Sequence, residues 1–282
     1  SYTDYRVLLG SGDVDALIVA LPESAQVRPA IEAAAAGMHL LLEKPVASSP
    51  TDADTLAAGL DGTVGVHASG HLLRADPRYR AAATAVAQPD FAPIVHISAV
   101  RRSKASTAQR VAGRTSLLYY LGVHDFDAVA WLAGSPIRTV QALSRRPTGW
   151  TLDVDASMLV LAECVNGAIA HVELSWAVDD GRPRGLETQM TVVGSGGTVT
   201  IGGGDEVVIS NNVGQRAVDA LHWPELGGRV VGTLRYQVEQ WIDAVEGKGQ
   251  VAATIDDGLA AARVAFAVEQ ALATGSVAGV AA

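Results

Sequence analysis

The chain has 282 residues, 49% of them hydrophobic and 18% charged, with a formal net charge of -9. That is long enough for two domains and too apolar for disorder, and the acidic balance without a Lys/Arg block disfavours nucleic acid and anionic membrane partners. The single cysteine, Cys164, can make neither an internal disulfide nor a cysteine metal site; with no span-length apolar run and no signal-peptide pattern, the expectation is a cytoplasmic protein.

The first seventy residues alternate between strand and helix patterns. Asp15 to Leu21 is a continuous apolar run, as expected of a strand buried on both faces. Pro22-Glu23-Ser24 breaks it, with Ser24 placed as N-cap of a helix over Gln26 to Ala36 that stops at Gly37. The strand His39–Leu42 runs into Glu43-Lys44-Pro45. Ser49-Pro50-Thr51 opens the next helix, with Asp52 and Asp54 favouring its positive end. A third strand is predicted over Thr63–His67. This βαβαβ pattern implies a parallel sheet with right-handed crossovers.

Lys44 stands at the carboxyl end of a predicted parallel strand, where open α/β sheets hold ligands, and Pro45 restricts the backbone beside it. It reads either as a lysine aimed at a cofactor and a substrate oxygen or as a strand-end lysine in solvent.

Beyond residue 70 the pattern changes. Helices are predicted over Asp76–Ala87 and Ser116–Leu132, with a strand over Ile94–Arg101 between them. Strands then follow at short spacing: Thr139–Leu143, Ala156–Leu161, Ala168–Leu174, Glu187–Val193, Thr198–Ile201 and Glu206–Ile209. Turn residues such as Asn166-Gly167 and Ser195-Gly196-Gly197 separate them. Two helices close the chain, about Leu234–Val245 and Asp257–Ala273. The expected fold is a partial Rossmann parallel-sheet domain over 1–70, followed by an α+β domain over 71–282 with a large, open, mainly antiparallel sheet.

On the long predicted helix, Tyr120, His124, Asp127 and Trp131 fall on one stripe, opposite a core stripe of Leu117, Leu121, Ala128 and Leu132. Gly122 in mid-helix costs about 1 kcal/mol against alanine, which close packing would explain. A histidine beside a tyrosine and a carboxylate suits proton transfer, with Asp125 or Asp127 orienting the imidazole. The alternative is a histidine satisfied by hydrogen bonds at a domain interface.

Taken together, Asp15 to Pro22, Ala35-Ala36-Gly37-Met38-His39, Glu43-Lys44-Pro45, Gly122 to Asp127 and Trp131 to Gly134 resemble the Gfo/Idh/MocA oxidoreductases. So do Gln240 to Val245 and Ile255 to Gly258 near the end of the chain. The resemblance implies an NAD(P)-dependent dehydrogenase acting on a secondary alcohol or ketone of a sugar, cyclitol or related polyol, with NAD or NADP as cofactor. It implies that Lys44 stabilises a developing alkoxide and that His124 takes the hydroxyl proton. Leu21, Pro22 and Glu43 would lie along the cofactor with Lys44. His71, Arg74, Asp127 and Trp131 would bind substrate. The second-domain sheet would build a homodimer or homotetramer. The rival reading is a non-catalytic ligand-sensing or regulatory protein on the same fold.

The sequence departs from the family pattern in three places. The family's opening βαβ with its Gly-rich phosphate loop is not found, which reads as a shortened form of a longer protein or, less favoured, as a variant with damaged cofactor binding. Such a sheet is expected to expose an apolar edge. Tyr120 stands where the family usually has aspartate, so it could donate a phenol hydrogen bond, act as the acid or simply pack. Gln26 replaces a frequent histidine, with little consequence expected. Trp150, Trp176 and Trp223 are candidates to reach the pocket from loops, although core packing is the commoner fate of tryptophan. The Arg145-Arg146 and Arg182/Arg184 pairs read as solvated loop residues. The remaining histidines, His39, His67, His96, His171 and His222, lack ligand spacing, so no metal is expected.

Overall fold

The computed structural model describes residues 1–202, 207–211, 214–218 and 221–281. A short helix, α1 (Tyr5–Leu9), precedes a three-stranded parallel sheet of β1 (Ala16–Val19), β2 (His39–Leu42) and β3 (His67–Ser69), connected through α2 (Val27–Ala35) and α3 (Pro50–Leu60). Leu40, Leu41 and Leu42 are at most 2% exposed, because helices cover both faces of the central strand. Val19 pairs with Leu42 and Leu42 with Ser69, so the three carboxyl ends lie level and Glu43, Lys44 and Gly70 emerge together. The end of α2 closes with Gly37 at φ 80°, Met38 N–H bonding Ala33 O and Gly37 N–H bonding Ala34 O. Ser49 caps α3 by accepting from Asp52 N–H at 3.1 Å. β1 is an edge strand among the described residues, and Ile18 on it is 49% exposed.

Two local expectations are corrected. Ser24 does not cap α2: a 3-10 turn, Glu23–Ala25, intervenes, and α2 starts without a side-chain cap. The third strand begins only at His67. Leu60 O accepts both the N–H and the hydroxyl of Thr63, Gly62 and Gly65 take positive φ, and Val64 is solvent exposed, so this stretch is turn and not ladder.

The second part carries α4 (Pro77–Val86), β4 (Ile94–Lys104), α5 (Ala105–Val111), α6 (Val123–Ala133), β5 (Ile137–Arg145), β6 (Ser157–Cys164), β7 (Ile169–Val178), β8 (Leu186–Gly194) and β9 (Thr198–Gly202). A hairpin, β10 (Val207–Asn211) and β11 (Gly214–Val218), and a small pair, β12 (Glu225–Leu226) and β13 (Arg229–Val230), follow. The expected strand over Glu206–Ile209 is β10, Glu206 itself lying outside the described residues. Then come α7 (Thr233–Val245), α8 (Ile255–Thr274) and β14 (Ala278–Gly279). Seven strands form one sheet in the order β14-β5-β6-β7-β4-β8-β9, antiparallel throughout except for the parallel pair β4–β7. The Gly194 to Gly197 segment is the turn between β8 and β9.

The last two helices tie the parts together. Trp241 of α7 packs on Leu41 and Ala68, on one face of the parallel sheet. The start of α8, Ile255 and Leu259, belongs to the core on the other face, while Ala261 to Ala271 belong to the core under the seven-stranded sheet. Gly258 sits at this crossing, where a Cβ would come within 2.8 Å of Val46 Cγ1 and 3.0 Å of Ser69 Cβ. The predicted helix over 116–132 is not uniform: Leu118–Gly122 forms a wide π turn before α6. Gly122 there lies against Leu174 and Phe126, a Cβ position 2.9 Å from Leu174 Cδ1, which accounts for the glycine.

Candidate active site

The carboxyl ends of β2 and β3 meet the π turn and the first turns of α6. Lys44 crosses from the parallel sheet to donate from Nζ to Tyr120 O at 3.0 Å, with its ammonium 5.0 Å from the centroid of the Tyr120 ring. That carbonyl lies within the π turn that precedes α6. Trp176 backs the Tyr120 ring at 5.9 Å. Trp176 is fully buried on β7, so it supports the site from the core and not from a loop. Trp150 is tied to Val154 O, and Trp223 is exposed beside His222.

Burial pulls the Lys44 ammonium down to about 8, opposed by Glu43 and Glu23 and reinforced by Arg101. Glu43 accepts from Lys44 N–H at 3.2 Å, and burial raises its pKa. It abuts Gly70, where a Cβ would stand 2.7 Å from Glu43 Oε2. Glu23, just past Leu21 and Pro22, accepts a hydrogen bond from Thr115 and so joins the end of β1 to the second part. Leu21 itself is exposed at the carboxyl end of its strand. Gln26 is buried and donates to Pro45 O, next to the Lys44–Pro45 peptide, which is cis.

His124 is 9% exposed on α6. Burial drives its pKa well below the usual histidine range, and Lys44, Arg101, His71 and His222 push it the same way. That shift favours the neutral imidazole, the form a general base needs. Neither expected aspartate orients it. Asp125 is consumed by Arg101, with Arg101 Nε to Oδ2 at 2.6 Å and Nη2 to Oδ1 at 3.0 Å, both residues buried. Asp127 is consumed by Arg74, Nη2 to Oδ1 at 2.8 Å and Nε to Oδ1 at 3.0 Å. Asp125 follows His124 directly and projects from another side of α6, toward β4, whereas Asp127 shares the stripe of His124 but is taken by Arg74 from the turn after β3. His124 Nδ1 is left sealed from solvent without a partner.

Arg74 also bonds Asp257 at the start of α8, at 2.8 Å, and lies 5.4 Å from the Trp131 ring centroid. Trp131 and Asp127 thus hold Arg74 in place, and the predicted stripe Tyr120, His124, Asp127 and Trp131 faces Lys44, His71 and Arg74 as a group. The sequence reading missed Arg101, Glu23, Asp257 and the approach of His222. Arg101 had a signal: Ile97, Ala99, Arg101 and Ser103 alternate onto the buried face of β4, so an arginine there needs a buried carboxylate. His222 had none, and Asp257 stood out only within the Ile255 to Gly258 motif, with no role attached. Arg146 and Arg182 pair locally with Asp153/Asp155 and Glu187. Among the described residues no three His, Cys, Asp or Glu side chains come together to hold a metal ion, and no helix is long and apolar enough to cross a membrane.

These groups fit the reacting end of a nicotinamide cofactor with an alcohol beside it. A cation, a neutral imidazole with an orphaned nitrogen and the backbone ends of three parallel strands converge at the edge where such sheets bind dinucleotides. Among the described residues no Gly-rich turn joins a buried strand to a helix, so the fit concerns that end alone.

Residues 1–68 match the model of an oxidoreductase family with an NAD-binding Rossmann fold, and residues 79–200 match the GFO/IDH/MocA C-terminal domain. Inositol 2-dehydrogenase 2 of Paenarthrobacter aurescens (strain TC1) is 29% identical over 283 residues, covering 96% of this chain and 81% of that protein. The structure of scyllo-inositol dehydrogenase from Lactobacillus casei with bound NAD(H) and scyllo-inositol superposes with a TM-score of 0.81 at 20% identity, over 99% of this chain and 84% of the other. GenD2 from gentamicin A biosynthesis, in complex with NAD, superposes with a TM-score of 0.79 at 26% identity, over 100% of this chain and 82% of the other. The chain belongs to the Gfo/Idh/MocA oxidoreductases, an NAD-binding family built on a Rossmann fold.

Proposed function

We propose that this protein oxidises a secondary ring alcohol of a cyclitol or related polyol, or reduces the corresponding ketone, with NAD(P) as hydride carrier. The observation that carries the reading is Lys44 reaching from the parallel sheet to the carbonyl of Tyr120, one helical turn before the buried His124. The cofactor, when bound, supplies the hydride chemistry. The side chains supply the rest. Lys44 holds a positive charge where the substrate oxygen becomes an alkoxide. His124 accepts the hydroxyl proton and returns it in the reverse direction. Tyr120 anchors Lys44 through its carbonyl and ring. Leu21, Pro22, Glu43 and Lys44 border the nicotinamide side. Arg74, its charge committed to Asp127 and Asp257, frames the substrate side with His71, Trp131 and Asp127.

In this reading residues 1–70 are the cofactor-binding part and 71–282 the substrate-binding part. The outer face of the seven-stranded sheet exposes Leu143, Leu159, Leu161 and Ile169 on adjacent strands, beside a groove of about 580 Å³. A contiguous apolar face of this kind supports a homo-oligomer assembled sheet to sheet. A dehydrogenase drawing on the NAD pool is placed in the cytoplasm.

The test is calorimetric titration of NAD and NADP, followed by turnover with myo- and scyllo-inositol for the wild type and Lys44→Met. We expect NAD-dependent oxidation that falls at least about a hundredfold in the variant. Undiminished turnover in Lys44→Met refutes the role of Lys44. Binding of cofactor and polyol without turnover in the wild type replaces the enzyme reading with a ligand-sensing one.

A further inference from the structure

Two buried imidazoles adjoin in this site, and each has a nitrogen without a partner. His71, at the turn after β3, is 1% exposed, and His124 is 9% exposed. Their rings meet edge to face, centroids 6.4 Å apart. The nitrogens left sealed and unpaired are His71 Nε2 and His124 Nδ1. The other nitrogen of His71, Nδ1, lies 3.0 Å from Ser69 Oγ, itself buried at the end of β3. Buried polar atoms without partners are uncommon and call for a reason.

A general base works best when its second nitrogen is held by another group, because that bond fixes the tautomer and the ring orientation. Here the two nearby carboxylates are locked onto Arg101 and Arg74. The charges bearing most on His124 are cationic, Lys44 and Arg101, joined by His71 and His222. Those bearing on His71 are Asp127, Lys44, Arg74 and Asp257. A sealed, unpaired ring nitrogen also belongs to the neighbouring His71. Catalytic hydrogen bonds are often long in the free protein and tighten in the working complex.

We infer that His71 is a positioning residue for His124, accepting a hydrogen bond from His124 Nδ1–H at Nε2 while its own Nδ1–H donates to Ser69 Oγ. The inference rests on His124 being the base in the reaction proposed above. The chain Ser69–His71–His124 leaves the Nε2 lone pair of His124 free for the substrate hydroxyl. In proton uptake the O–H bond of the alcohol breaks and its proton forms the Nε2–H bond, while the C–H bond of the carbinol carbon gives way to the C=O bond; the bound cofactor would supply the hydride acceptor. His71 Nε2 then accepts from Nδ1–H of the resulting His124 imidazolium. No carboxylate neutralises it, so the proton returns readily to the ketone's oxygen on reduction.

The experiment is two-bond ¹H–¹⁵N correlation spectroscopy of the full chain labelled in histidine, with and without NADH, on the wild type, His71→Ala and Ser69→Ala. The wild type is expected to show His71 and His124 both protonated at Nδ1. In His71→Ala, His124 should move toward the Nε2–H form, and kcat for polyol oxidation should fall about a hundredfold with little change in KM. Ser69→Ala should give the same changes in smaller measure, and it decides the matter if His71→Ala does not fold. An Nε2–H form of His124 in the wild type, or one unchanged tautomer in both variants, overturns the inference. The spectra need no turnover. A tautomer shift without any polyol oxidation would therefore retire the proposed reaction and keep the Ser69–His71–His124 chain. Oxidation that survives with no tautomer shift would do the reverse.

Discussion

The ion pair of Arg101 and Asp125 offers the sharpest energetic test. The side chains are 4% and 1% exposed and make two hydrogen bonds, at 2.6 and 3.0 Å, between the core face of β4 and α6. Burial works against the Arg101 charge, and Asp125 more than restores it, leaving its pKa raised. Removing one partner strands the other charge in an apolar setting. Asp125→Leu or Arg101→Met should each cost about 3–5 kcal/mol. For a chain of this length that corresponds to a loss of roughly 6–20 °C in Tm, toward the lower end. The double variant Arg101→Met with Asp125→Leu removes both charges and leaves apolar groups of similar bulk, so it should be more stable than either single variant. Urea unfolding followed by fluorescence and circular dichroism gives the four free energies of the cycle. Single variants within 1 kcal/mol of wild type, or a double variant equal to the sum of the singles, would falsify the claim that the pair holds itself in the core.

Other outcomes are expected from the same structure. Lys44 loses its charge as pH rises through about 8, so its stabilisation of the alkoxide is fully present below that pH and lost above it. Accordingly kcat/KM should decline on the alkaline side near pH 8, and Lys44→Arg, slower throughout, should hold its activity to higher pH; identical alkaline limbs would rule Lys44 out as the titrating group. Gly258→Ala gains about 1 kcal/mol of helix propensity, yet its Cβ would press on Val46 and Ser69. A net destabilisation of about 1–2 kcal/mol is expected from that overpacking, measured by chemical unfolding, and a stabilised variant would show that α8 can shift off β3. Leu161→Lys on the outer sheet face, where Leu161 is 58% exposed, should lower the mass seen by light scattering while leaving the circular dichroism spectrum unchanged. An unaltered mass would move the assembly surface elsewhere.

Much of this protein was already written in local sequence. Buried runs such as Leu40-Leu41-Leu42, the glycine stop at Gly37 and the Ser49 cap each act over a few residues, so strands, helices and the parallel sheet follow from spacing and turn chemistry. Lys44 and His124 stood out for the same reason: a charged residue ending an apolar strand and a histidine on a helix stripe are local anomalies. What tertiary structure decided is which partner each polar group obtains. Asp125 and Asp127 sit beside His124 in sequence, but Arg101 and Arg74, distant along the chain, claim them. Lys44 meets Tyr120 O only because the parallel sheet docks against the π turn, where Gly122 lies on Leu174 and the Tyr120 ring on Trp176. The adjacency of His71 and His124 exists only because β3 ends against α6. Pattern reads burial and period, which are properties of one segment. The hydrogen-bond partners of buried groups are set by how segments dock, and that is where the chemistry of this site was fixed.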